Sequence, residues 1–336
     1  MSHLNFASRI SLRLILLLAL AGSVVAGDGD GGYAGAFLQV PAGARPTAMG
    51  GAYLAVSNDG AAPLFNPAGL SNITRPLFGS SYRVMQLDRK LGYVNLIFPV
   101  RGQAALGAHW LYAGSGSVEE RNYQGDLTGY EISNNNHQFS VVFAKRFERI
   151  FSFGVNISYL HSEMNSSLAG FNTNSVGFDM GLMFYLDQLK DRNAREDMRI
   201  KDIQVGVTVK NIAKEYSWNS EKYNLKSSTS GRGAQQDDRF PVELGLGGSA
   251  RFFERKLLLA TDLIVREKLG PAFHAGAEYF VGEQLMLRTG FSNGRFTAGT
   301  GYLFKISNRS LFIDYAFSTD RADEGSEHIF SIDLHL

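Results

Sequence analysis

Residues 151–159 read "FSFGVNISY". Phe151, Phe153, Val155, Ile157 and Tyr159 fall on one face, and Ser152, Gly154, Asn156 and Ser158 on the other. Successive side chains of a β-strand point to opposite sides, so this stretch carries one oily face and one small, polar face. The same alternation returns in "SVGFDMGLMFYL" (175–186), "VELGLGGSARF" (242–252), "SLFIDYAFS" (310–318) and "FSIDLHL" (330–336). Reading outward from 151–159, fourteen such segments fit between Phe78 and Leu336, with twelve or sixteen as the neighbouring counts.

The two faces decide between a soluble and a membrane fold. On nearly every segment one face is built of Phe, Tyr, Leu, Val and Ile. The other holds Asp179, Glu243, Arg251, Asp262, Glu278, Arg288, Lys305, Asp314 and Asp333. A soluble protein of this pattern would need a second sheet or a propeller to cover the oily face, and no blade-length repeat of roughly 40–45 residues is present. A closed barrel needs neither: lipid covers the oily face, and the polar one lines the lumen. Short turns such as "FERI" (147–150), "FFERK" (252–256) and "VGEQ" (281–284) alternate with longer connections at 113–136, 163–173, 213–239 and 319–326. One short rim and one long-looped rim is the transmembrane-barrel pattern. "DQLKDRNARED" (187–197) interrupts it as a charged helix or extended turn.

Composition agrees. Charged residues are 19% of the chain, against about 25% in an ordinary soluble domain. Glycines number 37, cysteines 0, and the formal net charge is +1. The absence of cysteine excludes disulfides, thiolate metal sites, cysteine nucleophiles and a lipoprotein anchor. No basic block speaks for nucleic acid. Residues 1–26 read as a signal peptide: Arg9 and Arg13, the apolar "LILLLALAG" (14–22), then Val24-Val25-Ala26 before the cleavage site. The destination is the outer membrane of a Gram-negative type of cell, with its lipid as the first partner.

Residues 27–76 stand apart, rich in Gly, Ala and Pro and without alternation. Thr47–Ser57 fits a short helix with Met49, Tyr53 and Val56 on one face. A barrel of fourteen strands encloses more space than its own side chains fill. This segment has no strand of its own and is the natural occupant. The domain reading is therefore signal peptide 1–26, hatch 27–76 and barrel 77–336. In "PLFNPAGLSN" (63–72), Asn66 before Pro67 is pushed towards an extended conformation. Its side chain can cap a turn that starts at Pro67, and Gly69 can close that turn with positive φ. Arg45 can pair with an inward Asp or Glu.

The stretch 35–73 resembles the N-terminal signature of the PorV/PorQ family, within the FadL-like fourteen-stranded outer-membrane barrels. Its matching residues include Gly43-Ala44-Arg45, Met49-Gly50-Gly51-Ala52-Tyr53 and Asn66-Pro67-Ala68-Gly69-Leu70. The resemblance implies a hatch lodged in the lumen, with the Asn-Pro-Ala stretch at its inner turn. It also implies one of two functions. PorV-like members are accessory parts of type IX secretion, binding a secretion translocon and its secreted cargo proteins. FadL-like relatives pass hydrophobic small molecules through the hatch and a wall opening. The secretion reading is the leading expectation, with Tyr216, Trp218 and Tyr223 of the 213–239 loop as contact residues.

No catalytic constellation is expected, and no cofactor or metal. The histidines lack metal spacing. His161 beside Ser162 is the single hydrolase-like pair, and "GLGGSA" (245–250) lies within a strand rather than at a helix start, where glycine would ease barrel curvature. "DGDGG" (28–32) lacks the downstream Glu of a calcium loop.

Overall fold

The computed structural model describes residues 33–336 apart from 87, 123, 166–169, 190–199, 220–234, 268 and 320–324. The signal peptide, "DGDGG", Tyr223 and most of 187–197 lie outside the described residues. Fourteen antiparallel strands close into one barrel. They are β1 (Leu77–Val84), β2 (Lys90–Val100), β3 (Ala104–Arg121), β4 (Leu127–Phe147), β5 (Phe151–Asn165), β6 (Gly170–Tyr185) and β7 (Lys201–Ile212). After a separate hairpin, β8 (Glu215–Asn219) and β9 (Gln235–Arg239), come β10 (Glu243–Phe252), β11 (Leu257–Arg266), β12 (Leu269–Val281), β13 (Leu285–Ser292), β14 (Arg295–Ile306), β15 (Arg309–Thr319) and β16 (Ser326–His335). Each wall strand pairs with its neighbours in sequence, and β7 pairs directly with β10 past the hairpin.

Closure is made by β1 against β16, from Leu77↔His335 to Val84↔His328, and by Leu336 N–H donating to Pro76 O at 2.8 Å. A closed sheet has no free edge, which is what a hydrocarbon environment demands of backbone polar groups. The alternation read at 151–159 is the wall itself: Ser152, Asn156 and Ser158 are buried inward, while Ile157 and Tyr159 stand outward and exposed. Across the barrel the outward face is an oily belt, with Val141 60%, Leu246 53% and Phe330 53% exposed. An apolar surface of that extent suits lipid and not water. No helix among the described residues is long and apolar enough to cross a membrane.

The wall is lopsided. Strands β3 to β6 run to 18, 21, 15 and 16 residues, whereas β10, β11 and β13 have 10, 10 and 8. The expected loop 113–136 is therefore mostly strand, with only residues 122–126 between β3 and β4. Beyond the belt both faces of this ribbon meet water, so its sequence loses the oily-polar contrast that marks the other strands. The rim carrying Leu77 and Leu336, here the inner rim, has short turns apart from the 186–200 connection between β6 and β7. The opposite, outer rim mixes long connections with tight ones at 85–89, 267–268 and 293–294.

Residues 33–76 fill the lumen as short pieces: a 3-10 turn at Ala36–Gln39, helix α1 (Ala44–Ala48), helix α2 (Ala62–Phe65) and a 3-10 turn at Pro67–Asn72. The expected helix over Thr47–Ser57 does not form. Gly50 and Gly51 adopt φ of +64° and +81°, and Gly51 N–H donates to Pro46 O at 2.9 Å, ending α1 just after it has begun.

Candidate functional site: the hatch and its two halves

The hatch meets the wall in two chemically different ways. Residues 44–60 form the first half, built around Arg45 on α1. Arg45 donates from Nε to Glu278 Oε2 at 2.7 Å and from Nη2 to Glu278 Oε1 at 2.9 Å. Its Nη1 reaches Tyr53 Oη, Asn58 Oδ1 and Asp59 Oδ2. Glu278, 0% exposed, also accepts from Arg288 Nε at 2.7 Å, and Arg288 Nη1 continues to Asp314 Oδ1 at 2.5 Å. Alternating signs in a buried row let each charge keep a partner. Burial alone would lower the Arg45 pKa; Glu278, the Tyr53 phenol and Asp59 outweigh it and hold it well above the usual arginine value. Burial pushes the Tyr53 phenol well above its usual range, so it stays protonated and donates to Asp59.

The same half is stitched to the wall through its backbone. Asp262 accepts from Tyr53 N at 2.6 Å and Leu54 N at 2.9 Å. Asp333 accepts from Gly60 N at 3.3 Å, and Ser331 Oγ from Ala44 N at 2.7 Å. Thr297 Oγ1 donates to Ala48 O, and His274 Nδ1 to Gly50 O at 2.7 Å. Met49 is buried against Leu258 and Ala260. Gly276 and Gly290 face Met49 and Gly50 so closely that a Cβ on either would overlap the hatch backbone.

The second half, residues 61–72, is the Asn-Pro-Ala knot. Asn66 is extended (φ −143°, ψ 106°), and its Oδ1 accepts from Ala68 N at 3.1 Å, with Pro67 opening the 3-10 turn. Its Nδ2 donates to Leu54 O and Leu182 O. Ser152 Oγ donates to Ala68 O, and Tyr185 Oη to Asn72 Oδ1. Gly69 does not take positive φ. It is required because a Cβ there would overlap Ser57 O. Gly154 of β5 likewise leaves room for the Pro67–Ala68 backbone, which its Cβ would overlap. The knot carries no charge of its own. Cations touch it at its two ends, Lys210 Nζ at Leu64 O and Arg146 Nη1 at Asn72 Oδ1.

Two cavities flank the knot. On its outer side, a cavity of about 90 Å³ is walled by Leu38–Ala42, Leu64 and Phe65 of the hatch and by inward side chains of β3 to β12. On its inner side, an open cavity of about 520 Å³ is lined by Ser71, Asn72, Ile73 and Thr74 with Pro99, Gln103, Arg146 and Arg149. Residues Pro67 to Leu70 are buried between them.

The other residues singled out from the sequence fall into place around this. Asp179 is buried against Lys214 at 2.9 Å, and Glu243 pairs with Arg266 at 2.6 Å and Lys210 at 3.6 Å. Arg251 faces inward towards the inner rim, 3.7 Å from Asp202, whereas Lys305 is more than half exposed at that rim beside Glu283. Tyr216 is buried on Leu160 and Phe240 and Trp218 packs beside it, so this pair is a packed cluster rather than an open contact patch. His161 points outward to Asn174, whereas Ser162 points inward to Asn136, so the two cannot act on one substrate. Gly245 and Gly247 make room for Leu54 rather than curvature alone. Among the described residues no metal-binding cluster forms. Nothing in the local pattern of the chain signals the paired cavities, which depend on how hatch and wall meet.

Neither a protein-family model nor a curated protein sequence matches the chain. Solved structures do. The toluene transporter TbuX of Ralstonia pickettii aligns with a TM-score of 0.58 at 14% identity, covering 87% of this chain and 96% of that one. The CymD monoaromatic hydrocarbon channel gives 0.57 at 12%, covering 88% and 96%. A deltaS2 mutant of the TodX monoaromatic hydrocarbon channel gives 0.56 at 14%, covering 87% and 96%. The fold is that of the FadL-like barrels. At these identities the likeness is one of fold, and it reaches the broader of the two groups that the N-terminal signature resembles. These three are described as hydrocarbon channels or transporters, not as secretion components.

Proposed function

We propose that the chain is an outer-membrane channel for small, largely apolar molecules, and that they pass at the knot. The observation that carries this reading is the pair of cavities on either side of Pro67–Leu70, one on each rim side of the hatch. The uncharged knot is the part of the hatch that can shift without separating buried charges. Separating Arg45 from Glu278 would strand ions in a low-dielectric interior, a far larger cost than breaking neutral contacts. The first half thus serves as a fixed frame and the knot as the moving element. The fold shared with hydrocarbon channels supports the same reading.

The leading sequence expectation, accessory service in type IX secretion, gains no comparable observation: Tyr216 is turned inward, and the 113–136 region is a strand ribbon rather than a free loop. The transport reading is tested by toluene uptake into cells that lack their own hydrocarbon channel. Expression of this chain is expected to raise the initial uptake rate severalfold. A folded barrel in the outer membrane that leaves the rate unchanged would overturn it.

A further inference from the structure

The outer cavity has hydrogen-bonding character that a hydrocarbon would not use. Each of its charged side chains already has a partner, two carboxylates among three cations: Asp179 with Lys214, and Glu243 with Arg266 and Lys210. What remains are acceptors. Gln138, 2% exposed, donates its Nε2 to Ser140, and its Oε1 has no partner. His274 donates Nδ1 to Gly50 O, so the neutral ring presents a lone pair at Nε2, also without a partner. Asn156, 1% exposed, gives its Nδ2 to Asp179, and its Oδ1 faces the His109 ring without meeting it at hydrogen-bond geometry. Gln138, Asn156 and His274 line one cavity, opposite Leu38, Leu64 and Phe65 of the hatch.

We infer that this cavity is a selectivity site for neutral molecules with an apolar body and a hydrogen-bond donor, the phenol or aromatic-alcohol class. The inference rests on the transport reading above. A carboxylate brings no hydrogen for these acceptors, and the cations that line the cavity, Lys210, Lys214 and Arg266, each already contact Glu243 or Asp179. A plain hydrocarbon leaves the buried acceptors unsatisfied. A hydroxyl donates to one of them while its ring lies against Leu64 and Phe65. At about 90 Å³ the cavity is smaller than the roughly 150 Å³ that holds a benzene ring, so a ring enters as the Leu64–Phe65 end of the knot gives way.

The test uses three para-methyl aromatics of one shape: p-cresol, toluene and p-toluate. Each is titrated calorimetrically into the full chain in lipid nanodiscs, with empty discs as blank. The expected result is p-cresol binding at least about tenfold tighter than either of the others. In Gln138→Leu, with folding checked by heat-modifiable gel migration, p-cresol and toluene are expected to converge to within about twofold. Toluene or p-toluate binding as tightly as p-cresol to the natural chain overturns the inference, and that comparison stands whether or not the variant folds. An advantage for p-cresol that survives in folded Gln138→Leu also overturns it. Toluene uptake separates the two levels. Uptake without a p-cresol preference sinks the selectivity site alone, whereas no binding and no uptake sinks the transport reading with it.

Discussion

The two halves of the hatch occupy one lumen and use opposite chemistry. Around Arg45, ion pairs and carboxylates fix the chain to β11, β12, β13, β15 and β16. Around Asn66, fit to glycines and a few neutral hydrogen bonds hold the knot to β5 and β6. A buried charge network is costly to open part-way, because each lost partner leaves an ion uncompensated. A knot held by shape can be displaced and reseated at modest cost. On the proposed transport reading, the difference lets one half of the plug stay fixed while the other moves.

Glu278→Ala should break this comparison most severely. It takes from Arg45 its two-pronged partner and from Arg288 one of two carboxylates, leaving them Asp59 and Asp314, and is expected to cost about 3–5 kcal/mol in urea unfolding from lipid vesicles. A loss under about 1 kcal/mol would mean that the frame is not held by this row. Gly154→Ala tests the other half. A Cβ there meets knot backbone, and overpacking of this kind costs about 1–3 kcal/mol. The expected readout is an intact barrel with raised sensitivity to large antibiotics such as vancomycin, and unchanged sensitivity would argue against the knot as the seal. Asn66→Ala removes the cap and the donor to Leu54 O and Leu182 O; about 1 kcal/mol of stability should go, with a smaller rise in the same sensitivity. Glu283→Gln sharpens the contrast from below. Its partner Lys305 lies at the open rim, so the change should stay under about 1 kcal/mol by the same unfolding measurement.

How much of this is legible in the chain follows from what each feature depends on. Strand parity is local: "FSFGVNISY" needs only its own alternation, and its inward and outward faces stand as the letters imply. Asn66 capping before Pro67 is equally local. That Arg45 meets an acid can be expected, yet naming Glu278, 233 positions away, requires the register of the barrel. The expectation of positive φ at Gly69 fails because the constraint there is a neighbour, Ser57, and not the residue's own backbone angle. The β3–β4 ribbon escapes a reading by pattern because strands with water on both sides carry no hydrophobic alternation. The acceptors Gln138 and His274 sit on distant strands, and only closure brings them to one cavity.

The division of labour within the hatch is most directly tested by pinning one half at a time in a chain without native cysteines. Ala68→Cys with Met183→Cys ties the knot to β6, where the two residues share a packed cluster. Ala48→Cys with Ala316→Cys ties the Arg45 half to β15 in the same manner. With the knot moving inside a fixed frame, oxidation of the first pair abolishes toluene uptake until reductant is added, and oxidation of the second leaves uptake near that of the unmodified chain. Block by the second pair, or passage through the oxidised first, would contradict it.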